Sequence, residues 1–306
     1  LHWPDSIRLR EVGPRDGWQS IKQVIPTADK AYFILQLIKC GLRELEITSF
    51  VSPRAVPQHV DAEHLFDILK NNTFQGPEPV LSALVINTTG VKRAISCGVS
   101  TLAAVISATQ SHSLANSGLT IEDALLELTS MHNLATSHGI KVRVAIATAF
   151  GYPGHESVDI QRLRVIVDNL IHLKIDEIIL ADTPGLASPR QIYQTVHALN
   201  KSYPGHTWGL HLHDAHGLGL TNVLAGIMAG ATVIETSLGG LGGCPFLPGA
   251  KGNVATEKVA FMLQEMSINT GVSLSCLRKL LEKCPLPYNP YRKEQNQNDS
   301  AGQFQS

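Results

Sequence analysis

Aromatic side chains are scarce in this sequence, at 6% of 306 residues, and neither sign of charge dominates. Lysine plus arginine number 25 against 26 for aspartate plus glutamate, which leaves no electrostatic footprint for nucleic acid or an anionic membrane. No apolar run approaches the roughly 18 residues of a membrane span. The cysteines Cys40, Cys97, Cys244, Cys276 and Cys284 are odd in number, scattered and without a CxxC pair. A disulfide framework is therefore not expected, and a reducing compartment is. The start, Leu1-His2-Trp3-Pro4, has neither a signal-peptide core nor an Arg-rich transit character, and its lack of Met suggests a processed or trimmed end. No solenoid-type repeat and no low-complexity linker interrupts the chain.

What is present points to a large mixed fold. The 43% hydrophobic content suffices for a large buried core, and the length fits one barrel or two average domains. Eight β-rich runs are legible near Ile7–Val12, Glu44–Thr48, Val80–Val85, Leu102–Ser107, Val142–Thr148, Glu177–Ala181, Gly209–His213 and Val233–Ser237. Helical periodicity fills the gaps, at about 27–40, 58–70, 89–97, 121–138, 158–172, 188–201, 218–229 and 254–267. Thr120 with Glu122 and Asp123, Pro26-Thr27 and Ser188-Pro189 are helix starts. Eight strand–helix units argue for parallel pairing, and eight closes a TIM barrel; an open doubly wound sheet is the alternative. A further helix near Leu277–Lys283 would close or flank the barrel. The barrel domain is expected over residues 1–284, with an irregular, partly mobile extension over 285–306.

Polar residues gather at the predicted strand ends, which in a barrel converge on one mouth. Arg15-Asp16 follow the first strand, in the rigid loop Gly13-Pro14-Arg15-Asp16-Gly17. Glu46 and Thr48-Ser49 belong to the second, and Asp182-Thr183 follow the sixth. His211-Leu212-His213 end the seventh, with Asp214 next. Side chains at i and i+2 of a strand point the same way, roughly 7 Å apart, so the two imidazoles could share a cation. Taken alone, an HxH pair is more often two ordinary histidines, and Arg15-Asp16 alone reads as a surface ion pair. Asp16 and Asn253 would shift that balance only where the fold brings them near; two nitrogen and two oxygen ligands would suit Mg²⁺ or Mn²⁺, with Zn²⁺ or Co²⁺ as alternatives. Glu46 and Arg143 read equally as an internal ion pair or as functional groups. Asp182 reads as a helix cap or a site carboxylate, and Asp214 as a turn cap or a histidine-orienting group. Gly239-Gly240-Leu241-Gly242-Gly243-Cys244-Pro245 is a glycine-rich loop with a thiol at its tip. No GxGxxG spacing and no GK[ST] is present, which excludes dinucleotide and P-loop readings. Cys40 and Cys97 fall in helical patterns and are expected to be buried and inert.

Four motifs taken in order resemble a known family. Glu11-Val12-Gly13-Pro14-Arg15-Asp16-Gly17, Thr48-Ser49-Phe50-Val51-Ser52-Pro53, His211-x-His213-Asp214, and Gly242-Gly243-Cys244-Pro245 with Gly252-Asn253-x-Ala255-Thr256-Glu257 are similar to the 3-hydroxy-3-methylglutaryl-CoA lyases, members of the DRE-TIM metallolyases. The similarity runs from about residue 7 to 270. It implies that Asp16, His211, His213 and Asn253 bind a divalent cation, Mg²⁺ or Mn²⁺. Arg15 would stabilise an enolate, with Asp16 or His211 as base. Glu46 and Asp182 would complete the polar mouth, Cys244 would close over the site and protonate carbon, and Gln19 and Arg143 would contact substrate or support Arg15. The implied substrate is an acyl-CoA thioester and the implied assembly a homodimer. The implied compartment is the cytoplasm, or the mitochondrial matrix for a eukaryotic source. An isopropylmalate- or homocitrate-synthase-type condensing acyltransferase is the alternative activity. Several positions depart from the lyase pattern: Trp18 beside the Arg-Asp pair, Gly151-Tyr152-Pro153-Gly154-His155, Ala215-His216, and Gln110 where a Glu is usual. All are expected at or near the mouth, so carbon–carbon cleavage is implied more firmly than the acyl group.

Overall fold

The structure, a computed structural model, describes residues 3–152, 154, 156–243 and 252–283. Eight parallel strands close into a barrel in sequence order: β1 (Arg8–Glu11), β2 (Glu44–Ser49), β3 (Val80–Leu84), β4 (Thr101–Ser107), β5 (Lys141–Ala147), β6 (Glu177–Asp182), β7 (Thr207–Leu212) and β8 (Val233–Thr236). Closure is made by β1 against β8, with Leu9 opposite Ile234 and Glu11 opposite Thr236. The expected (β/α)8 barrel is thus the observed one, and the open sheet is excluded.

The outer ring is α1 (Thr27–Lys39), α2 (Ala62–Lys70), α3 (Thr88–Ser96), α4 (Gln110–Ser117), α5 (Ile121–Ser137), α6 (Ile160–His172), α7 (Pro189–Ser202), α8 (Gly219–Ala229) and α9 (Thr256–Glu265), followed by α10 (Leu274–Lys283). The helix starts legible in the sequence have their physical cause in place. Thr120 accepts from Asp123 N at 3.0 Å and Ser188 from Gln191 N at 3.3 Å. The polar helix α4 has no strong apolar stripe and was not expected. The segment beyond Lys283 lies outside the described residues. No helix among the described residues is long and apolar enough to cross a membrane.

The space between strands and helices holds the aliphatic core, including Ile34, Leu45, Ile178 and Leu210, all buried. The barrel interior is different, because its lower and middle layers are ionic. Arg8 pairs with Glu44 (2.8 Å) and Glu177 (2.7 Å); Arg10 pairs with Glu44 (2.5 Å), Glu177 (2.6 Å) and Glu235 (3.2 Å). Arg143 pairs with Glu46 and lies 3.6 Å from Glu235. Burial opposes the charge on Arg10, but Glu177, Glu235 and Glu44 together outweigh it and hold its pKa above the usual arginine value.

One expectation is overturned. Cys40, just after α1, and Cys276, in α10, form a disulfide with Cα atoms 5.2 Å apart. Their 236-residue separation hides the pair in the sequence, while the fold lays α10 against the end of α1. Ser273 N also donates to Cys40 O at 2.8 Å. The premise of five unpaired thiols, on which a reducing compartment was expected, therefore does not hold for these two. Cys97 remains a free, half-buried thiol. Because the bond closes a very long loop, reduction, or the pair C40S/C276S, should lower stability by about 2–5 kcal/mol in denaturant unfolding. Identical midpoints with and without reductant would contradict a formed bond.

Candidate active site

The first segment of the candidate site is fixed by a buried carboxylate. Glu11, at the end of β1, accepts from Gly13 N (3.0 Å), Leu238 N (2.9 Å) and Thr256 Oγ1 (2.7 Å). Burial, only partly offset by these donors, pushes its pKa up to about 7. The chain then makes a tight π-helical turn, Gly13–Gly17. A Cβ on Gly13 would stand 2.5 Å from Glu11 Oε1, so only glycine allows this clamp. The turn delivers Arg15 and Asp16 to the upper mouth in one fixed orientation.

The third and fourth motifs meet it there. His211 and His213 project from β7 and the residue just past it, with their Nε2 atoms 3.3 Å apart. Asp16 Oδ2 lies 4.0 Å from His211 Nε2, and a ligand atom from each of Asp16, His211 and His213 falls within 4.8 Å of the others. Residues 252–255 wedge between the ends of β7 and β8: Val254 N donates to Leu212 O at 3.0 Å and Ser237 N to Val254 O at 3.1 Å. This brings Asn253 beside His213. Its Nδ2 donates to Asp16 Oδ2 (2.8 Å) and Leu241 O (3.0 Å), while its buried Oδ1 has no hydrogen-bond partner among the described residues. Gly242 must pass close by, since a Cβ there would lie 2.5 Å from Asn253 Nδ2.

This donor set fits one divalent cation. Two facing imidazole Nε2 atoms, a carboxylate and an orphaned amide oxygen are all buried, and a cation would satisfy them together. Electrostatics agree. Burial would raise the pKa of Asp16, but Arg15, His211, His213 and Asn253 override it and hold it at about 2. Burial and the neighbouring His211 push His213 down to about 4, so its lone pair is available. Burial likewise opposes protonation of His211, yet the Glu235 hydrogen bond and the nearby Asp16 raise it above 6.5.

The sequence reading missed Glu235. It is buried, opposite His211 in the β7–β8 ladder, and its Oε2 lies 3.0 Å from His211 Nδ1. Burial opposes the charge on Glu235, but the His211 hydrogen bond, Arg143 and Arg10 outweigh it and hold it anionic, so Nδ1–H donates and Nε2 is left to the ligand cluster. The period-2 alternation of β8 carried this signal, since it places Glu235 on the inner face. Asp214, the alternative orienting group, instead accepts from Gly219 N (2.8 Å) at the start of α8.

The other expected residues divide. Arg15 donates to Asp16 (2.6 Å) and to Glu46, and lines the cavity above the cluster. Gln19 lines it too, donating to Asp16 Oδ1 at 3.1 Å. Arg143 does not reach this mouth. It donates to Ser82 Oγ (2.9 Å) and Glu46 beneath the site and borders a hollow at the opposite end of the barrel. The carboxylate of Asp182 accepts from Leu186 N (3.2 Å) and Ala187 N (3.0 Å), shaping the turn before α7 and facing a neighbouring hollow. Cys244 lies outside the described residues; Gly243 before it lines the cavity.

The departures also sort themselves. Trp18 is not at the mouth but in the core, 1% exposed and packed on Phe33 at 5.9 Å, because the turn rotates it away from Asp16. Gln110 takes part in packing of the α4–α5 connection, its Oε1 accepting from Ile121 N at 3.2 Å. His216 is an exposed residue on the loop before α8. Tyr152 and Gly154 border the hollow beside Asp182, and Pro153 and His155 lie outside the described residues.

Two outcomes follow from this geometry. E235Q should weaken Mn²⁺ binding to the metal-free protein by about 10–100-fold, with E235D recovering part of it; calorimetric titration measures both. Wild-type affinity in E235Q would contradict the orienting role. Because protons compete with the cation at His211, whose pKa is raised, affinity should fall with decreasing pH, and the fall should begin at a higher pH than for an ordinary histidine ligand. Asp16, ionised down to about 2, should contribute nothing to that fall.

Comparison with known proteins matches this arrangement. The profile of the HMGL-like family matches residues 6–283. The chain is 36% identical over 274 residues to the mitochondrial hydroxymethylglutaryl-CoA lyase of Arabidopsis thaliana, covering 90% of this chain but only 58% of that protein. It is 35% identical over 280 residues to hydroxymethylglutaryl-CoA lyase YngG of Bacillus subtilis, covering 90% and 91%. An HMG-CoA lyase of Acinetobacter baumannii, solved in complex with coenzyme A and 3-methylmalate, superposes with a TM-score of 0.84 at 35% identity, over 92% of this chain and 90% of that one. With its Arg15-Asp16 turn, HxH strand and Asn253 wedge assembled on the matched barrel, this chain belongs to the HMGL-like family of metal-dependent lyases.

Proposed function

We propose that this protein is a divalent-metal-dependent lyase that cleaves a 3-hydroxy-3-alkylglutaryl-CoA thioester, the parent being 3-hydroxy-3-methylglutaryl-CoA, to a 3-oxo acid and acetyl-CoA. The observation that carries the reading is the buried cluster of Asp16, His211, His213 and the orphaned Asn253 Oδ1 with Arg15 beside it. Asp16, His211, His213 and Asn253 would hold Mg²⁺ or Mn²⁺. The bound ion would supply Lewis acidity to the tertiary hydroxyl and neighbouring carboxylate of the substrate.

The chain's own groups do the rest. Asp16, whose carboxylate has a second oxygen besides the one offered to the cation, stands at the cavity edge as acceptor for the hydroxyl proton, while His211, with Nδ1 on Glu235 and Nε2 offered to the cation, acts by holding the ion. As that proton leaves, the oxygen becomes a ketone and the carbon–carbon electron pair passes to the thioester as an enolate. Arg15, buttressed by Glu46 and Asp16, presents fixed positive charge to the enolate oxygen without reorganising. Gln19, tied to Asp16, borders the same space. Asp182 acts by holding the turn that carries Thr183, whose Oγ1 accepts from Thr148 N at 2.9 Å. Cys244, on the glycine-rich loop next to Gly243, would deliver the proton to the enolate carbon. Arg143 supports Glu46 from below rather than meeting substrate. The relatives lend no support to the condensing acyltransferase reading.

The test is direct. Purified chain with Mg²⁺ or Mn²⁺ should release acetyl-CoA from 3-hydroxy-3-alkylglutaryl thioesters, and chelator should abolish it. R15Q should lose about 10²–10³-fold in kcat. C244S should lose about 10²–10⁴-fold while binding the cation normally. Unchanged turnover in C244S would refute its proton-donor role, and metal-independent cleavage would refute the mechanism.

A further inference from the structure

The cavity above the ligand cluster, about 340 Å³, has two unlike halves. The side formed by β7, β8 and the turn after β1 is ionic and carries Arg15, Asp16, His211, His213 and Glu235. The side formed by β3 to β6 is aliphatic. Its wall is Leu84 and Ile86 at the end of β3, Val105 on β4, Ala145 and Ala147 on β5, and Ala181 on β6. Val105 sits opposite Ala145 in the β4–β5 ladder, and Ala181 sits opposite His211 in the β6–β7 ladder. The aliphatic arc therefore begins directly beside a metal-ligating residue.

Two features show that the arc is an open surface and not only core. Ile86 keeps 40% of its surface exposed, and Val105 and Ala145 are only partly covered. Three of the six wall residues are alanine, where an inner barrel layer usually carries bulky branched side chains that fill the space. Small side chains on two adjacent strands leave room for a guest. The strands' backbone groups are committed to their ladders, and these six side chains offer no hydrogen bond. The polar residues on that side lie beyond the strand ends: His112 and Asn116 on α4, and Thr183 just after β6, whose Oγ1 accepts from Thr148 N at 2.9 Å.

We propose that this arc is the binding site for the C3 substituent of the substrate, and that the substituent is an extended, unbranched or branched aliphatic chain larger than methyl. The inference rests on the lyase reading and deepens it. The reacting carbon has four substituents. The hydroxyl and the carboxymethyl arm carry oxygen and belong on the ionic half. The thioester arm needs Arg15 at its carbonyl and amide partners along its pantetheine, which an aliphatic wall cannot supply. Only the C3 alkyl group has no polar atom, and the tetrahedral centre leaves the arc beside His211 for it. The arc spans four strands, roughly 14 Å at the usual strand spacing. A methyl group touches one or two of its side chains, whereas a chain of several carbons buries against all of them. Cleavage is balanced for any such group: the hydroxyl proton leaves to the base, the carbon–carbon pair becomes the enolate, and the ketone product keeps the alkyl chain.

The experiment compares 3-hydroxy-3-methylglutaryl-CoA with 3-hydroxy-3-pentylglutaryl-CoA as substrates of the Mn²⁺-loaded full chain. The pentyl compound should have a kcat/KM at least about tenfold above the methyl compound, in line with the worth of methylenes in an apolar pocket. A145F should collapse that ratio by about tenfold or more, acting through KM of the pentyl compound; V105F, from the neighbouring strand, should do the same if A145F folds poorly. Preference for methyl, or a ratio untouched by either folded variant, would overturn the proposal and leave the lyase reading standing. Cleavage of neither thioester would sink the lyase reading and this proposal with it.

Discussion

The structure depends on the contact between Glu235 and His211. A barrel interior filled with charge is costly, because each desolvated ion forfeits several kcal/mol of hydration unless partners replace it. Here Arg10 and Arg143 reach up to Glu235 from the lower layers, and Glu46 ties Arg143 to Arg15. Glu44 and Glu177 anchor Arg10 from the opposite end. The charges alternate along a continuous path to the upper mouth. At its end the path fixes one imidazole tautomer, so that Nε2 of His211 faces Asp16 and His213. Removing Arg10 would take a shared cation from Glu44, Glu177 and Glu235; removing Glu235 would take one carboxylate each from Arg10 and Arg143 and leave His211 Nδ1 without its acceptor. The network thus serves both the barrel and the site.

Much of this was legible in the sequence, and the reasons are physical. Strand and helix runs alternate with different hydrophobic periods, and parallel strands connected by helices leave few topologies open. The histidine pair was visible at a strand end, because His211 and His213 share a face by period alone, whereas Asp16 and Asn253 joined it only through the family resemblance. The sequence could not show which carboxylate supports the histidines. Asp214 was adjacent in the chain, but proximity in a barrel is set by neighbouring strands, and Glu235 is level with His211 across the β7–β8 ladder. Arg143 reads in the sequence equally as an internal ion pair or a substrate contact; its depth along β5, two and four residues below Ala145 and Ala147, places it under the site on Glu46. Trp18 was placed at the mouth by its position beside Asp16, yet the Gly13–Gly17 turn swings it into the core. The Cys40–Cys276 bond was hidden for the simplest reason, since nothing local marks two residues brought together by the last helix.

The cavity divides into two halves of different chemistry. The ionic half is built by the Arg15-Asp16 turn, the His211–His213 strand end and Glu235. The aliphatic half is built by the ends of β3 to β6, whose Leu, Val and Ala side chains impose no hydrogen-bond geometry. Under the proposed function, the first would carry the chemistry and the second the choice of C3 substituent. The two halves meet where Ala181 lies beside His211.

The central claim is that a single divalent cation binds among Asp16, His211, His213 and Asn253. Anomalous diffraction from crystals of the chain grown with Mn²⁺ tests it most directly. The account predicts one strong manganese peak bonded to a carboxylate oxygen of Asp16, both Nε2 atoms and Asn253 Oδ1, with Glu235 still on His211 Nδ1. A peak elsewhere, or a cation bound without Asn253 or either histidine, would contradict it.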